Sequence, residues 1–377
     1  MANAEPEVTL AVNGKLYEGW KQVSVRSSLE ELAHSFTVEY TQRAAVGAPI
    51  VEIEAGDAVQ IKIGATLVLT GYVDESSEDY DSGNHSVSVI GRSKTGDLVD
   101  CAAILEQPGT PVPGQPPQGG KITGKNLYDI AKLLCAPFGI GVSIDAALSD
   151  MFLSAGNEAA VQIQDGDSVF ETLSELARKD AVLLLTDAAG DLLLARASTV
   201  PLSVALRSGV NIKRGSLRSS VRDRYSKYVI KGQAPGSDAL AALSATGMKF
   251  EVADDEVKRY RPFVAVDHEA TLERLEQRAT WERNTRAGRS AALTYDVQGW
   301  THAQGLWHPN TLVTVGDERL GIDTTMLITS VDLQRSLEQG RTARLELAPR
   351  EMYDVLKPPK VLRRKKGDLS KLLAGVP

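Results

Sequence analysis

In the first third of the chain, apolar and polar residues alternate in short runs. "VTLAVNGKLYEGW" alternates on both sides of Asn13-Gly14, the pattern of two strands joined by a two-residue hairpin turn. "WKQVSVRSSL" continues it, and "HSFTVEYTQ" puts Phe36, Val38 and Tyr40 on one face. From Val51 to Ser93 several more short strands are divided by Gly, Asp and Asn. Hairpins this dense predict a barrel or sandwich rather than β-α-β units, and barrel closure would hide the sheet edges.

The period changes near Gly96. "KTGDLVDCAAILEQ" can start a helix, whereas Pro108 to Gly120 is a proline- and glycine-rich connection. "TGKNLYDIAKLLCAPFGI" then places Leu127, Ile130, Ala131 and Leu134 on one helical face, with Gly139 positioned to end the helix. A second helix is expected after Asp167 or Ser168, followed by "AVLLLTD", a turn at "DAAGD", and "LLLAR". This is an α/β module inserted into the β region, ending near Ala197. Strand patterns return at "VNIKRGSLRSSVRDRYSKYVIKGQ", where Tyr225, Tyr228 and Val229 point to packing and the arginines to an electropositive edge. "PGSDALAALSATG" reads as a flexible excursion. The clearest later helix is "HEATLERLEQRATWERNTRAGRS", with Leu272, Leu275, Ala279 and Trp281 on its apolar side and arginines on a solvated one. Three further strand-rich stretches lead to Tyr353. The resulting organisation is a first β-barrel over 1–97, an α/β insert over 98–197, and return strands with a linker and helix over 198–280. A second barrel follows over 281–356, then a basic tail over 357–377.

Composition narrows the function more than it names it. The 377 residues carry 42 Lys and Arg against 49 Asp and Glu, a formal charge of -7. That excludes a surface built as a whole to hold nucleic acid. "MANAEPEVTL" lacks the basic start of a secretory signal, and no apolar run approaches the roughly 18 residues of a membrane span. Folding in a cytoplasm is therefore expected, with Cys101 and Cys135 as buried or incidental thiols.

No phosphate-binding GxxxxGK[ST] loop, GxGxxG fingerprint or GxSxG nucleophile elbow occurs, and Ser27, Ser28 and His34 form no nucleophile motif. "ESSEDYD" reads as an exposed acidic loop rather than an acid–base pair. His302 and His308, even with Asp296 or Asp317, lack the spacing of a zinc site. Neither a cofactor nor a metal is expected, nor is enzyme activity. Trp300 and Trp307 remain. Either could bind a carbohydrate or peptide, but their place before His308-Pro309-Asn310 and the strands beyond favours a corner that caps a β core.

The segment "YDVQGWTHAQGLWHPNTLVTVGDERLGIDTTMLITSVDLQRSLEQGRTARLELAPREMY" resembles the carboxy-terminal barrel of the tail protein P family of Mu-like phages, hub proteins of contractile-tail baseplates. "VTLAVNGKLYEGWKQVSVRSSLEELAHSFTVEYTQ" is similar to the family's amino-terminal barrel, and the two helical stretches to its inserted modules. The likeness implies a mainly β fold with α/β insertions and two related small β-barrel domains. By the same resemblance, Gly14, Gly19 and Trp20 fall in the first barrel's opening hairpin. Gly299, Trp300, Leu306, Trp307, Pro309 and Asn310 fall at the turn of the second, and Gly321 and Asp323 in its next hairpin. It further implies a homotrimer whose six barrels ring the tail axis, joining the tail tube protein to the central spike protein among other baseplate proteins. Phage DNA would pass through the channel, which a mildly acidic chain allows without capture. The expected location is the virion baseplate, assembled in the host cytoplasm, with no membrane anchor. In the tail, Arg363, Arg364, Lys365 and Lys366 need an acidic partner, and Leu369, Leu372 and Leu373 offer an apolar anchor; docking on a neighbouring protein is the expectation.

Overall fold

The computed structural model describes residues 7–42, 53–80, 85–104, 121–153, 159–163, 166–179, 182–232, 248–267 and 272–353. The proline-rich connection, the excursion before Met248 and the basic tail with its Arg363–Leu373 candidates lie outside them. The chain divides into one unit of residues 1–196 and 330–343 and another of 197–329 and 344–377.

In the first unit, β1 (Val8–Val12) and β2 (Lys15–Tyr17) form a hairpin. Its turn holds Asn13 at φ 50° and Gly14 at φ 76°, the left-handed pair that suits the twist of the flanking strands. Five more strands complete the sheet: β3 (Gln22–Ser28), β4 (Ser35–Gln42), β5 (Ala58–Ile63), β6 (Thr66–Tyr80) and β7 (His85–Ser93). Their order is β3-β4-β7-β6-β5-β1-β2, all antiparallel, and residues 330–335 add a further strand beside β3. Alternation drives this arrangement: Leu10, Val25, Phe36, Val38, Ile61, Leu69 and Val89 are all buried. The sheet curls far enough for Glu7, just before β1, to lie 3.9 Å from both Arg335 and Arg341 at its opposite end. Among the described residues those ion pairs join the two ends, and no β ladder does.

The same unit carries the α/β module: α1 (Gly96–Asp100), β8 (Lys121–Lys125), α2 (Leu127–Cys135), β9 (Val142–Ile144), α3 (Ser149–Leu153), β10 (Ala159–Gln162), α4 (Val169–Lys179), β11 (Leu183–Thr186) and β12 (Leu192–Ala195). Leu127, Ile130, Ala131 and Leu134 of α2 pack with Leu173 of α4 and Leu192 and Leu194 of β12. Ser168 and Glu171 cap α4 reciprocally, each side chain accepting from the other's backbone N–H. A chain of buried hydroxyls joins the module to the sheet. Ser93 Oγ lies 2.8 Å from Thr95 Oγ1, which lies 2.6 Å from Thr186 Oγ1, and Thr186 donates to the Leu32 carbonyl. Cys101 and Cys135 are both free thiols.

The second unit opens with β13 (Pro201–Arg207) and β14 (Ile212–Ser219). Next, β15 (Lys227–Gly232), β16 (Lys249–Ala253) and β17 (Pro262–Asp267) make a small separate sheet. Ile230 at its centre packs on Leu275 and Ala279 of α5 (Leu272–Arg289). Leu272, the first described residue of this helix, departs from the expected apolar face: it is 57% exposed, while Leu275 and Ala279 further along are buried. The unit closes with β18 (Ala291–Gln298), β19 (Thr301–His302), β20 (Gly305–Leu306), β21 (Thr311–Asp317), β22 (Ile322–Ser336) and β23 (Gly340–Ala348). The hairpin tip 330–343 of β22 and β23 counts with the first unit.

The strand order β14-β18-β23-β22-β21 repeats the order β3-β4-β7-β6-β5. Lengths agree as well: β4 and β18 have 8 residues each, β6 and β22 have 15, and β7 and β23 have 9. The two related β domains implied by the family resemblance are therefore visible as a repeated topology. Both are small, mainly antiparallel sheets, with helical modules set into the chain.

Candidate functional site

The corner after β18 gathers most of the residues singled out in the sequence. Gly299 turns at φ 74°, and β19 and β20 form a two-residue ladder, Thr301 opposite Leu306 and His302 opposite Gly305. This brings the Trp307 N–H to the Trp300 carbonyl at 3.1 Å. Both rings point inward, Trp300 being 2% and Trp307 3% exposed, and Leu306 is buried beside them. His302 packs on Trp307 with ring centroids 4.5 Å apart, and its Nδ1 accepts from the Gln304 N–H. Burial holds its pKa below the usual histidine value, so near neutral pH it is an uncharged packing group. His308 is exposed. Among the described residues, no group of three or more His, Cys, Asp or Glu side chains is placed to hold a metal ion.

The rest of the corner is a hydrogen-bonded frame. Asn310, next to Pro309, adopts φ 58°, donates its N–H to the Ile328 carbonyl and accepts from the Ser198 N–H through Oδ1. Asn is among the few side chains that tolerate this left-handed backbone. Buried Tyr295 donates to Asp317 Oδ2 at 3.0 Å, while Asp317 Oδ1 accepts from the N–H groups of Arg319 and Leu320 and so braces the turn before β22. Burial first, then the Asp317 carboxylate, raises the Tyr295 pKa far above the ordinary phenol value, so it acts as a fixed donor. Gly321 lies in this turn at φ 67°, and Asp323 pairs outward opposite Gly316. In the first unit, Gly19 has φ 82°, and Trp20 is buried against Tyr40, edge to face at 5.7 Å.

Two charged features had weaker sequence signals. Arg224 and Asp254 form a buried two-pronged ion pair at 2.6 and 2.9 Å, with Ser290 Oγ accepting a further bond from Arg224. They stand 30 positions apart, a spacing that carries no motif. Arg286, expected on a solvated helix face, instead lies over Phe263 at 4.5 Å and pairs with Glu282 at 3.0 Å. The acidic stretch read as a loop is the exposed far half of β6. The basic stretch after Val210 is β14, exposed along most of its length.

These residues form frames, corners and charged strands, and relatives of known type carry the same architecture. The N-terminal domain of Mu phage baseplate assembly protein GpP-like proteins matches residues 7–93. The second domain of baseplate hub protein gp44-like proteins matches 95–196, and the fourth domain of Mu phage baseplate assembly protein GpP matches 271–356. Baseplate hub protein gp44 of Escherichia phage Mu is 33% identical over 368 residues, covering 96% of this chain and 92% of that protein. The crystal structure of the 43 kDa tail protein of prophage MuSo2 from Shewanella oneidensis has a TM-score of 0.78 at 35% identity, covering 92% of this chain and 99% of that one. A tail protein from Neisseria meningitidis shares the fold, with a TM-score of 0.76 at 22% identity over 93% of this chain and 98% of its own. A third of all positions kept over nearly the full length of both proteins is decisive: the chain belongs to the Mu-type phage baseplate hub family.

Proposed function

We propose that the protein is the structural hub of a contractile phage tail. Three copies form a ring in which two related sheets from each give a pseudo-sixfold frame. That frame joins the sixfold tail tube to the central spike and surrounds the passage for DNA. It assembles in the host cytoplasm and ends in the virion baseplate. The observation that carries this reading is the repeated strand order β3-β4-β7-β6-β5 and β14-β18-β23-β22-β21, because one chain that presents the same sheet twice can meet a sixfold partner with threefold symmetry. Solution mass and imaging with tube or spike protein present test it. A trimeric ring is the expected result, and a persistent monomer that forms no ring with either partner overturns it.

The segment 357–377 is proposed to dock on a neighbouring baseplate or spike protein through Arg363, Arg364, Lys365, Lys366, Leu369, Leu372 and Leu373. Deleting it should reduce spike capture; unchanged capture overturns the docking role, and a selective loss of DNA binding moves the basic run to the channel. The carbohydrate- or peptide-binding alternative is disfavoured at Trp300 and Trp307, whose buried rings offer no open face to a sugar.

A further inference from the structure

The repeat has one unequal joint. In the first sheet, β3 has neighbours on both sides: β4, and residues 330–335 in the far half of β22. Its counterpart β14 pairs with β18, and among the described residues no strand pairs with its other edge, which meets only an isolated bridge from Ser208 to Ile212, clear of 216–219. The counterpart of β22 is β6, whose near half, to Tyr72, pairs with β5. Its far half, 75–80, pairs with β7 on one side, and the other side is open among the described residues. Each open edge therefore corresponds to one that is filled elsewhere in the same chain.

We infer that β14 of one copy pairs antiparallel with residues 74–79 of β6 from the next copy. This contact repeats the one that β3 makes with β22, and it rests on the trimeric reading above. Position fixes the register. The ladder of β22 with β21 ends at Ile328 opposite Thr311, and that of β6 with β5, which has a bulge at Val68, ends at Tyr72 opposite Ala58; matching these ends makes 74–79 correspond to 330–335. Ser35 opposite Arg26 corresponds to Ala291 opposite Ser219, so 216–221 correspond to 23–28. The 330–335 ladder runs from Ser330 opposite Ser28 to Arg335 opposite Val23. Carried across, this register sets Ser77 opposite Arg218, with Glu75 and Asp79 diagonal to Arg218 on the same face.

Charge supports the pairing. The β6 segment carries Glu75, Glu78 and Asp79, whereas β14 carries Lys213, Arg214 and Arg218. Burial fits too. The covered strand β3 buries Val23 and Val25, whereas every residue of β14 is exposed or half-buried, and Tyr80 at the end of β6 is 86% exposed. A head-to-tail contact of this kind makes a ring when its rotation closes. In a trimer, three joints inside chains and three between them would alternate round the axis.

Charge reversal on the full chain tests this. Arg218→Glu alone, or Glu75→Arg with Asp79→Arg, should raise the concentration for half-dissociation of the trimer about tenfold or more. All three together should restore it, and Ser77→Cys with Arg218→Cys should yield covalent trimers on oxidation. Unchanged thermal unfolding of each variant separates lost assembly from lost folding. If the wild type is trimeric and both one-sided reversals leave it so, or if the cysteines never cross-link, the strand contact is overturned while the trimer stands. A wild type that stays monomeric with tube and spike protein present overturns the trimer and this contact together.

Discussion

The two repeats share a strand order but reach stability by different means. In the first, sheet packing tightens at glycines: a Cβ on Gly71 would lie 1.8 Å from the Arg92 carbonyl oxygen, and one on Gly91 2.1 Å from that of Tyr72. Backbones approach there because no side chain separates them. In the second, the corresponding load falls on large rings and buried polar frames: Trp300, Trp307, and Tyr295 on Asp317. Their insertions differ as well. The first repeat is followed by its α/β module, whereas the second is interrupted between β14 and β18 by a three-stranded sheet and α5. One topology has thus been filled by two core chemistries, so strand order is the inherited quantity and side-chain packing the adjustable one.

The largest effects should come from the second repeat's rings. Trp300→Ala and Trp307→Ala are each expected to cost about 3–5 kcal/mol, read by urea unfolding. Glycan binding lost with unchanged unfolding and oligomeric mass would instead favour a sugar-binding corner. In the module that interrupts this repeat, Arg224→Met should cost about 3–5 kcal/mol by stranding buried Asp254. Arg224→Met with Asp254→Leu should recover most of that. If the double variant is as unstable as the single one, the pair is needed for more than mutual neutralisation.

In the first repeat, Gly91→Ala should cost about 1–3 kcal/mol, since the atom it meets is backbone and cannot swing aside. A neutral result would show that β6 and β7 slide apart readily. The smallest effect concerns thiols. Burial pushes Cys135 up to about 12, so at about pH 9 a thiol reagent should label exposed Cys101 and spare Cys135 until the chain unfolds. The folded thiol keeps its proton above the free value of 9.0, so this burial stabilises fully below about pH 9 and progressively less towards about 12.

What the sequence disclosed was local. The Asn13-Gly14 turn and the start of α4 after Asp167 or Ser168 are decided by neighbours a few residues away, and both can be read directly. The α2 face was legible for the same reason, through spacing alone. Leu272 was not, because periodicity assigns a face without saying which positions along it are covered. The far half of β6 reads as an acidic loop because an exposed strand with one partner lacks the alternation of a buried one. Arg224 and Asp254 meet only through folding of an entire module. The corner around Trp300 and Trp307 was visible as composition; its inward aim depends on the short ladder of β19 and β20.

The hydroxyl chain between the first sheet and its α/β module has a direction as well as a position. Ser93 Oγ receives the His34 N–H, and Thr186 gives its proton to the Leu32 carbonyl. Ser93 must then give to Thr95, and Thr95 to Thr186, so every proton in the series has a single assignment. Both ends terminate on backbone of one short segment, which makes the series a closed loop rather than a bridge. Thr186 is the module's one member of the loop, so tilting the module would strain both of its bonds, to Thr95 and to Leu32, at once. Mechanically the contact resembles a weld more than a hinge, since the module cannot turn there without giving up buried hydroxyl bonds.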